Sequence, residues 1–199
     1  MTTLAATISS NNACILSESQ LSDDGQHLKM ATECQKVFNI GSWVIAGSGW
    51  NRPGDILTHQ MKWPVVPAKY QNPNEDLTGW IIKNLVPKVE NALILHKAID
   101  YDKGTAIQDA EFLIAPHGRV WLLDEGFGIT PIKDFFISGS GGKIALGAIS
   151  ALKNQLGDWD NNHHIYARNA IESAIEFDLY SSGPIRGYLS HANGRVETV

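Results

Sequence analysis

Cysteine is scarce in this chain: Cys14 and Cys34 are the only two in 199 residues, and neither sits in the paired spacing of a thiolate metal site. Two such residues read as reduced thiols of a protein from a reducing compartment. Runs of Lys or Arg are also missing, and the formal net charge is -5. Both facts argue against nucleic acid and anionic membrane as partners. No stretch reaches the ~18 apolar residues of a membrane-spanning helix. The first residues lack the basic segment and the ~7–15 apolar residues of a secretory leader. No internal repeat, low-complexity tail or phosphate-binding loop is present. These absences lead to the expectation of a soluble, cytoplasmic protein, one domain over residues 1–199, with no cofactor and no metal.

What is present begins with short strands. Residues 3–9 and 13–18 flank Ser10-Asn11-Asn12, turn chemistry that predicts a hairpin. Residues 35–40 and 42–47 form a second predicted pair around Gly41, and residues 110–116 and 119–124 a third around His117-Gly118. Pro53, Pro64, Pro67 and Pro73 interrupt residues 51–75, leaving room for a short helix near Asp55–Lys62. Leu77, Trp80, Ile81, Leu85, Val89 and Leu93 recur at helical spacing from Asp76 to about Ala98, with Pro87 set to kink or split that helix. A strand at Asp134–Ser138 leads into Gly139-Ser140-Gly141-Gly142. Helices at about Lys143–Gln155 and His164–Phe177 follow, and strands at Gly183–His191 and Arg195–Val199 close the chain. Hairpins, a helical block, then strands and helices again give an α+β pattern with largely antiparallel sheets.

Thr2 follows the initiator methionine. With Met1 removed it carries a hydroxyl and a free α-amine on one residue, a nucleophile together with its base. The amine has a reference pKa of ~7.7–8.0, so it is partly neutral near neutral pH and can take the hydroxyl proton directly or through one water. Such a residue needs a nearby cation, polar groups that orient the amine, and N–H donors for the oxyanion. Other conspicuous residues have plainer readings. His163-His164 is expected to be a solvated pair at a helix start. Asn51-Arg52-Pro53-Gly54 after Trp50 reads as a loop lining a groove, and Trp63, Val65 and Val66 as a subunit contact.

Six segments, in order, resemble the proteasome β-type subunits and their simpler bacterial relative HslV, both N-terminal nucleophile hydrolases. Thr2-Thr3 matches the processed threonine start. Glu18-Ser19-Gln20, sixteen residues on, falls where the family has Asp-Ser-Arg or Asp-Gly-Gln. Gln35-Lys36-Val37 matches the segment with the family's lysine, and Val44-Ile45-Ala46-Gly47 the run into its oxyanion glycine. Residues 137–142 resemble its Gly-Ser-Gly-Gly turn, and residues 178–183 its Asp-Ala-Tyr-Ser-Gly-Gly.

The resemblance implies a four-layer αββα sandwich of two antiparallel sheets flanked by helices. It implies a threonine peptidase with Thr2 as nucleophile, Lys36 as cation held by Glu18, and Ser140, Asp178 and Ser181 orienting the amine. Gly49 is assigned the oxyanion N–H, with Gly47 as the alternative. It also implies stacked rings of identical subunits, unfolded polypeptide as substrate, and a separate ATP-driven unfolding partner. The chain departs from the pattern in two places. Glu18 is one methylene longer than the family's aspartate, and Lys36 lies two residues further from Thr2 than usual, which places an enlarged loop around Asp23-Asp24-Gly25. A non-catalytic ring subunit of the same fold, or an amidohydrolase acting on a small amide, are the other readings.

Overall fold

The computed structural model describes every residue except Met1, residues 24–27, Thr32 and residues 103–104. The chain opens with β1 (Thr3–Ile8), β2 (Asn12–Ser17), β3 (Leu21–Asp23) and β4 (Leu28–Ala31), then β5 (Val37–Ile40) and β6 (Trp43–Gly49). Helices α1 (Asn51–His59), α2 (Leu77–Asn84) and α3 (Val86–Leu95) follow. Next come β7 (Asp100–Asp102), β8 (Thr105–Ile107), β9 (Ala110–Pro116), β10 (Val120–Leu123), β11 (Ile129–Ile132) and β12 (Phe135–Gly139). Helices α4 (Gly142–Leu156) and α5 (Trp159–Phe177) precede β13 (Arg186–His191) and β14 (Val196–Thr198).

One sheet has the order β12-β1-β2-β13-β14 and the other β11-β10-β9-β6-β5, and every pairing within them is antiparallel. Side chains on a strand alternate between its faces, so each sheet has two surfaces to cover. Leu4, Ala6, Ala13 and Ile15 of the first sheet meet Val37, Val44, Ala46, Leu113 and Ala115 of the second. On the opposite face of the first sheet, Ala5, Cys14 and Leu16 pack against Ala167 and Ile171 of α5. Trp43, Ile45, Phe112 and Ile114 of the second sheet pack with Leu57, Ile81, Val89 and Leu93 of α1 to α3. The layers therefore run helix, sheet, sheet, helix, the expected αββα sandwich. Each fully buried Leu or Ile contributes about 1.5–3 kcal/mol, so the central layer holds the sheets together strongly.

The hairpin turns sit where the turn residues stand. Gly41 has φ 64°, and His117 and Gly118 have φ 51° and 71°, the paired positive angles of a two-residue connection between antiparallel strands. The helical block splits at Leu85, with Asp76 capping α2 through a 3.0 Å bond from the Thr78 N–H and Pro87 within the first turn of α3. Other expectations need correction. Helix α1 starts at Asn51, four residues earlier than the spacing suggests, because Pro53 falls in its first turn, where an N–H has no helical partner to lose. The Asn-Arg-Pro-Gly segment is thus helix, not loop. Trp63 and Val66 are core residues, and only Val65 of that trio is exposed, at 86%. The enlarged loop expected around Asp23-Asp24-Gly25 falls on Asp24 and Gly25, which lie outside the described residues.

His163 is not part of a solvated pair. Helix α5 begins at Trp159, so His163 lies inside it, buried against the first sheet. Its Nδ1 shares a 2.8 Å hydrogen bond with Thr7 Oγ1, and its Nε2 lies 2.5 Å from Asn12 Oδ1. Burial, and secondly the His164 charge, push its pKa down to about 4. An unfolded histidine titrates near 6.5, so between pH 6.5 and 4 the unfolded chain binds the extra proton and stability falls with acidification. His163→Gln, which keeps an amide for both partners, is expected to flatten this loss of roughly 2–3 kcal/mol. Urea unfolding of both proteins at pH 7 and pH 4.5 measures the difference. Parallel acid sensitivity in the two would remove His163 as the cause.

Candidate active site

The alternation along β1 decides where Thr2 faces. Thr3, Ala5 and Thr7 turn toward the helices, Leu4 and Ala6 toward the second sheet. Thr2, one step ahead of the strand, shares the parity of Leu4 and is 7% exposed. It lines a cleft of about 420 Å³ together with Lys36, Phe38, Gly49, Trp50 and Phe112. An adjoining cleft of about 450 Å³ shares Thr2, Lys36 and Gly49 and adds Gly139 and Ser140.

Glu18 follows β2 and is fully buried, at 0% exposure. Its Oε1 accepts the Thr3 N–H at 3.1 Å and bonds the Lys36 ammonium. Its Oε2 accepts the N–H groups of Gln20 at 2.5 Å and Ser182 at 3.4 Å. Four donors around one carboxylate are what a buried charge requires. The additional methylene of glutamate is thereby accommodated, and the carboxylate still meets the lysine. Burial pushes the Lys36 pKa below its ordinary value, while the Glu18 charge works in the opposite sense.

The Gly139-Ser140 turn meets the start of β1 directly. The Ser140 N–H donates to the Thr2 carbonyl at 2.8 Å, and Gly139 pairs with Thr3. Gly139 has φ 94°, and a Cβ there would lie 1.6 Å from the Thr2 carbonyl oxygen, so no side chain is possible at this position. The Ser140 hydroxyl donates to Asp178 Oδ2 at 2.9 Å, and the Ser181 hydroxyl donates to the same oxygen at 2.7 Å. Ser181 Oγ also lies 2.6 Å from Thr3 Oγ1. Asp178 and Ser181 therefore reach the chain start through Ser140 and Thr3. Neither Thr3 nor Ser182 is singled out by sequence, because each acts through a backbone group or a neighbour's hydroxyl.

Two glycines compete for the oxyanion role. The Trp50 N–H donates to the Asp109 carbonyl at 2.7 Å. N–H groups of successive residues point to opposite edges of an antiparallel strand and those two apart share an edge, so Gly49 and Gly47 both aim theirs away from β9. Strand β5 begins at Val37, opposite Ala46, so its ladder reaches neither glycine. Both glycines border the 420 Å³ cleft beside Thr2. At Gly49, φ is 105° and an added Cβ would meet the Asp109 carbonyl at 2.6 Å. The site thus gathers a threonine, a buried lysine–carboxylate pair, a serine–aspartate–serine cluster and outward-facing N–H groups. That set can activate a hydroxyl and stabilise a developing oxyanion. Cys34, at the Lys36 end of the cleft, is half-buried. Cys14 is buried in the core, and burial pushes its thiol up to about 12.

Among the described residues no group of three or more His, Cys, Asp or Glu is placed to hold a metal ion, and no helix is long and apolar enough to cross a membrane. No family model and no curated protein matches the sequence. Solved structures do match its fold. Thiobacillus denitrificans BPH has a TM-score of 0.72 at 18% identity, covering 96% of this chain and 98% of its own. The same protein in complex with epoxomicin gives 0.71 at 18% identity over 96% and 98%. The eukaryotic HslV from Trypanosoma brucei gives 0.62 at 16% identity over 95% and 99%. The chain has the proteasome and HslV sandwich fold, as its sequence resemblance implies.

Proposed function

We propose that this chain is a threonine peptidase of the proteasome and HslV type, a single catalytic domain whose nucleophile is Thr2 once Met1 is removed. The observation that carries the reading is Lys36 bonded to buried Glu18 in a cleft it shares with Thr2. In this mechanism the Thr2 hydroxyl attacks the scissile carbonyl while the Thr2 amine takes its proton. The Lys36 ammonium stabilises the alkoxide and lowers the amine's affinity for a proton. The N–H of Gly49 receives the oxyanion, with Gly47 beside it. Ser140, Asp178 and Ser181 fix the start of β1, and so the amine. The carbonyl carbon forms an ester to the threonine oxygen, the amine of the leaving peptide departs with the proton, and water then cleaves the ester.

The same likeness supports assembly into stacked rings of identical subunits, an intracellular setting, unfolded chains as substrate and a separate ATP-driven unfolding partner. Epoxomicin, bound in the Thiobacillus structure, is a suitable probe of the Thr2 cleft. The experiment is hydrolysis of short peptide amides and of an unfolded polypeptide by protein whose first residue is Thr2, alongside its mass in solution. Cleavage by a large ring is the expected result. A ring without cleavage points to a scaffold subunit. Amide hydrolysis by a particle of one or two chains points to a small-molecule amidohydrolase.

A further inference from the structure

The layer between the two sheets is apolar along most of its length, but at the end beside Thr2 it becomes polar. Ser48 on β6 and Glu111 on β9 are paired residues whose side chains share the face of Val44, Ala46, Leu113 and Ala115, which is turned to the first sheet. Ser138 on β12 shares the face of Phe136 and points back at them. Glu111 Oε1 accepts a hydrogen bond from Ser138 Oγ and another from Ser48 Oγ at 3.1 Å. The two hydroxyl oxygens lie 2.9 Å apart. Ser138 gives its proton to the carboxylate, so Ser48 divides its own between Glu111 and Ser138.

We infer that Glu111 is a positioning residue, clamping the oxyanion segment Gly47–Gly49 to the Gly139-Ser140 turn that holds Thr2. The inference rests on the peptidase reading above. Ser48 stands between the two candidate oxyanion glycines, and Ser138 immediately precedes the residue whose backbone packs on the Thr2 carbonyl. Nucleophile and oxyanion donor thus belong to different sheets. Apolar contact resists pulling those sheets apart but is non-directional, so it opposes sliding only weakly. Hydrogen bonds to one carboxylate oxygen are directional and fix the offset. A displacement of about 1 Å between reacting groups can lower a rate about 10²-fold, which gives such a clamp its importance.

The test compares Glu111→Ala, Glu111→Gln and the native protein in peptide hydrolysis, with thermal unfolding and ring mass measured on the same samples. An oxyanion donor acts in the transition state, so Glu111→Ala is expected to lower kcat about tenfold or more and leave KM within about twofold. Glu111→Gln keeps an acceptor oxygen and is expected to restore most of kcat. A lower melting temperature with native kcat and KM would reduce Glu111 to a structural residue and overturn the inference. Equal loss in both variants would overturn it too, because the amide retains the clamp. Should Glu111→Ala fail to fold, Ser48→Ala and Ser138→Ala each remove one arm. Each is then expected to lower kcat at constant KM, and unchanged kcat in both would be the contrary result. If the native protein neither cleaves peptide nor reacts with epoxomicin, the peptidase reading falls first and takes this inference with it. A native enzyme that works beside an unaffected Glu111→Ala defeats the inference alone.

Discussion

Thr2→Ala is expected to abolish peptide cleavage, by roughly 10⁴–10⁶-fold in kcat, and to leave the fold as it is. The two halves of that expectation have separate causes. The fold uses the Thr2 backbone, whose carbonyl accepts the Ser140 N–H, and alanine keeps that bond. The proposed mechanism uses the hydroxyl, which alanine lacks. Thr2→Ser is the informative companion, since it retains a hydroxyl on a residue with the same α-amine and should retain measurable turnover. Cleavage of a peptide amide by the alanine variant, at a rate near the native one, would place the nucleophile elsewhere.

The second large effect is expected at Lys36. Lys36→Met keeps a long apolar stem but removes the ammonium bonded to Glu18. Loss of that stabilising charge should lower kcat by roughly 10²–10³-fold. It should also destabilise the protein by about 3 kcal/mol, because Glu18 is left buried with three backbone N–H donors and no counter-ion. The two consequences can be separated. Adding Glu18→Gln to Lys36→Met removes the stranded charge, so denaturant stability should recover while activity stays low. Recovery of both together would mean that the lysine serves the fold alone. The pH profile offers a further check on the same pair. Activity should rise as the α-amine loses its proton, near or below ~7.7–8.0. It should fall again as Lys36 deprotonates, below the usual lysine range because burial lowers its pKa.

The sequence was informative where a local signal coincides with a structural need. Asp76 before an apolar helix is an N-cap in both sequence and structure, and Gly41 and His117-Gly118 mark turns that the backbone makes with positive φ. The candidate site residues were also visible as short segments in a recognisable order, and the fold brings Thr2, Glu18, Lys36, Gly49, Ser140, Asp178 and Ser181 to one end of the sandwich. Short edge elements were not visible. Strand β11 contains Pro131, which disfavours a strand by composition but is tolerated at the edge of a sheet, where one side of the backbone has no partner strand. Strands β3, β4, β7 and β8 have three or four residues each, too few for periodicity to register. His163 looks solvated beside His164 because its partners Thr7 and Asn12 lie about 150 residues away in sequence. The Glu111 clamp was invisible for the same reason: Ser48, Glu111 and Ser138 come from three strands of two sheets, and no spacing connects them.

The mass of the intact protein from its native host, taken before and after incubation with epoxomicin, tests the role of Thr2 most directly when followed by peptide mapping. If Thr2 is the nucleophile, the untreated protein lacks Met1, and the compound adds once, at Thr2, in the native chain but not in Thr2→Ala. A retained methionine, or an adduct that maps to Cys34, which lines the same cleft, would contradict it.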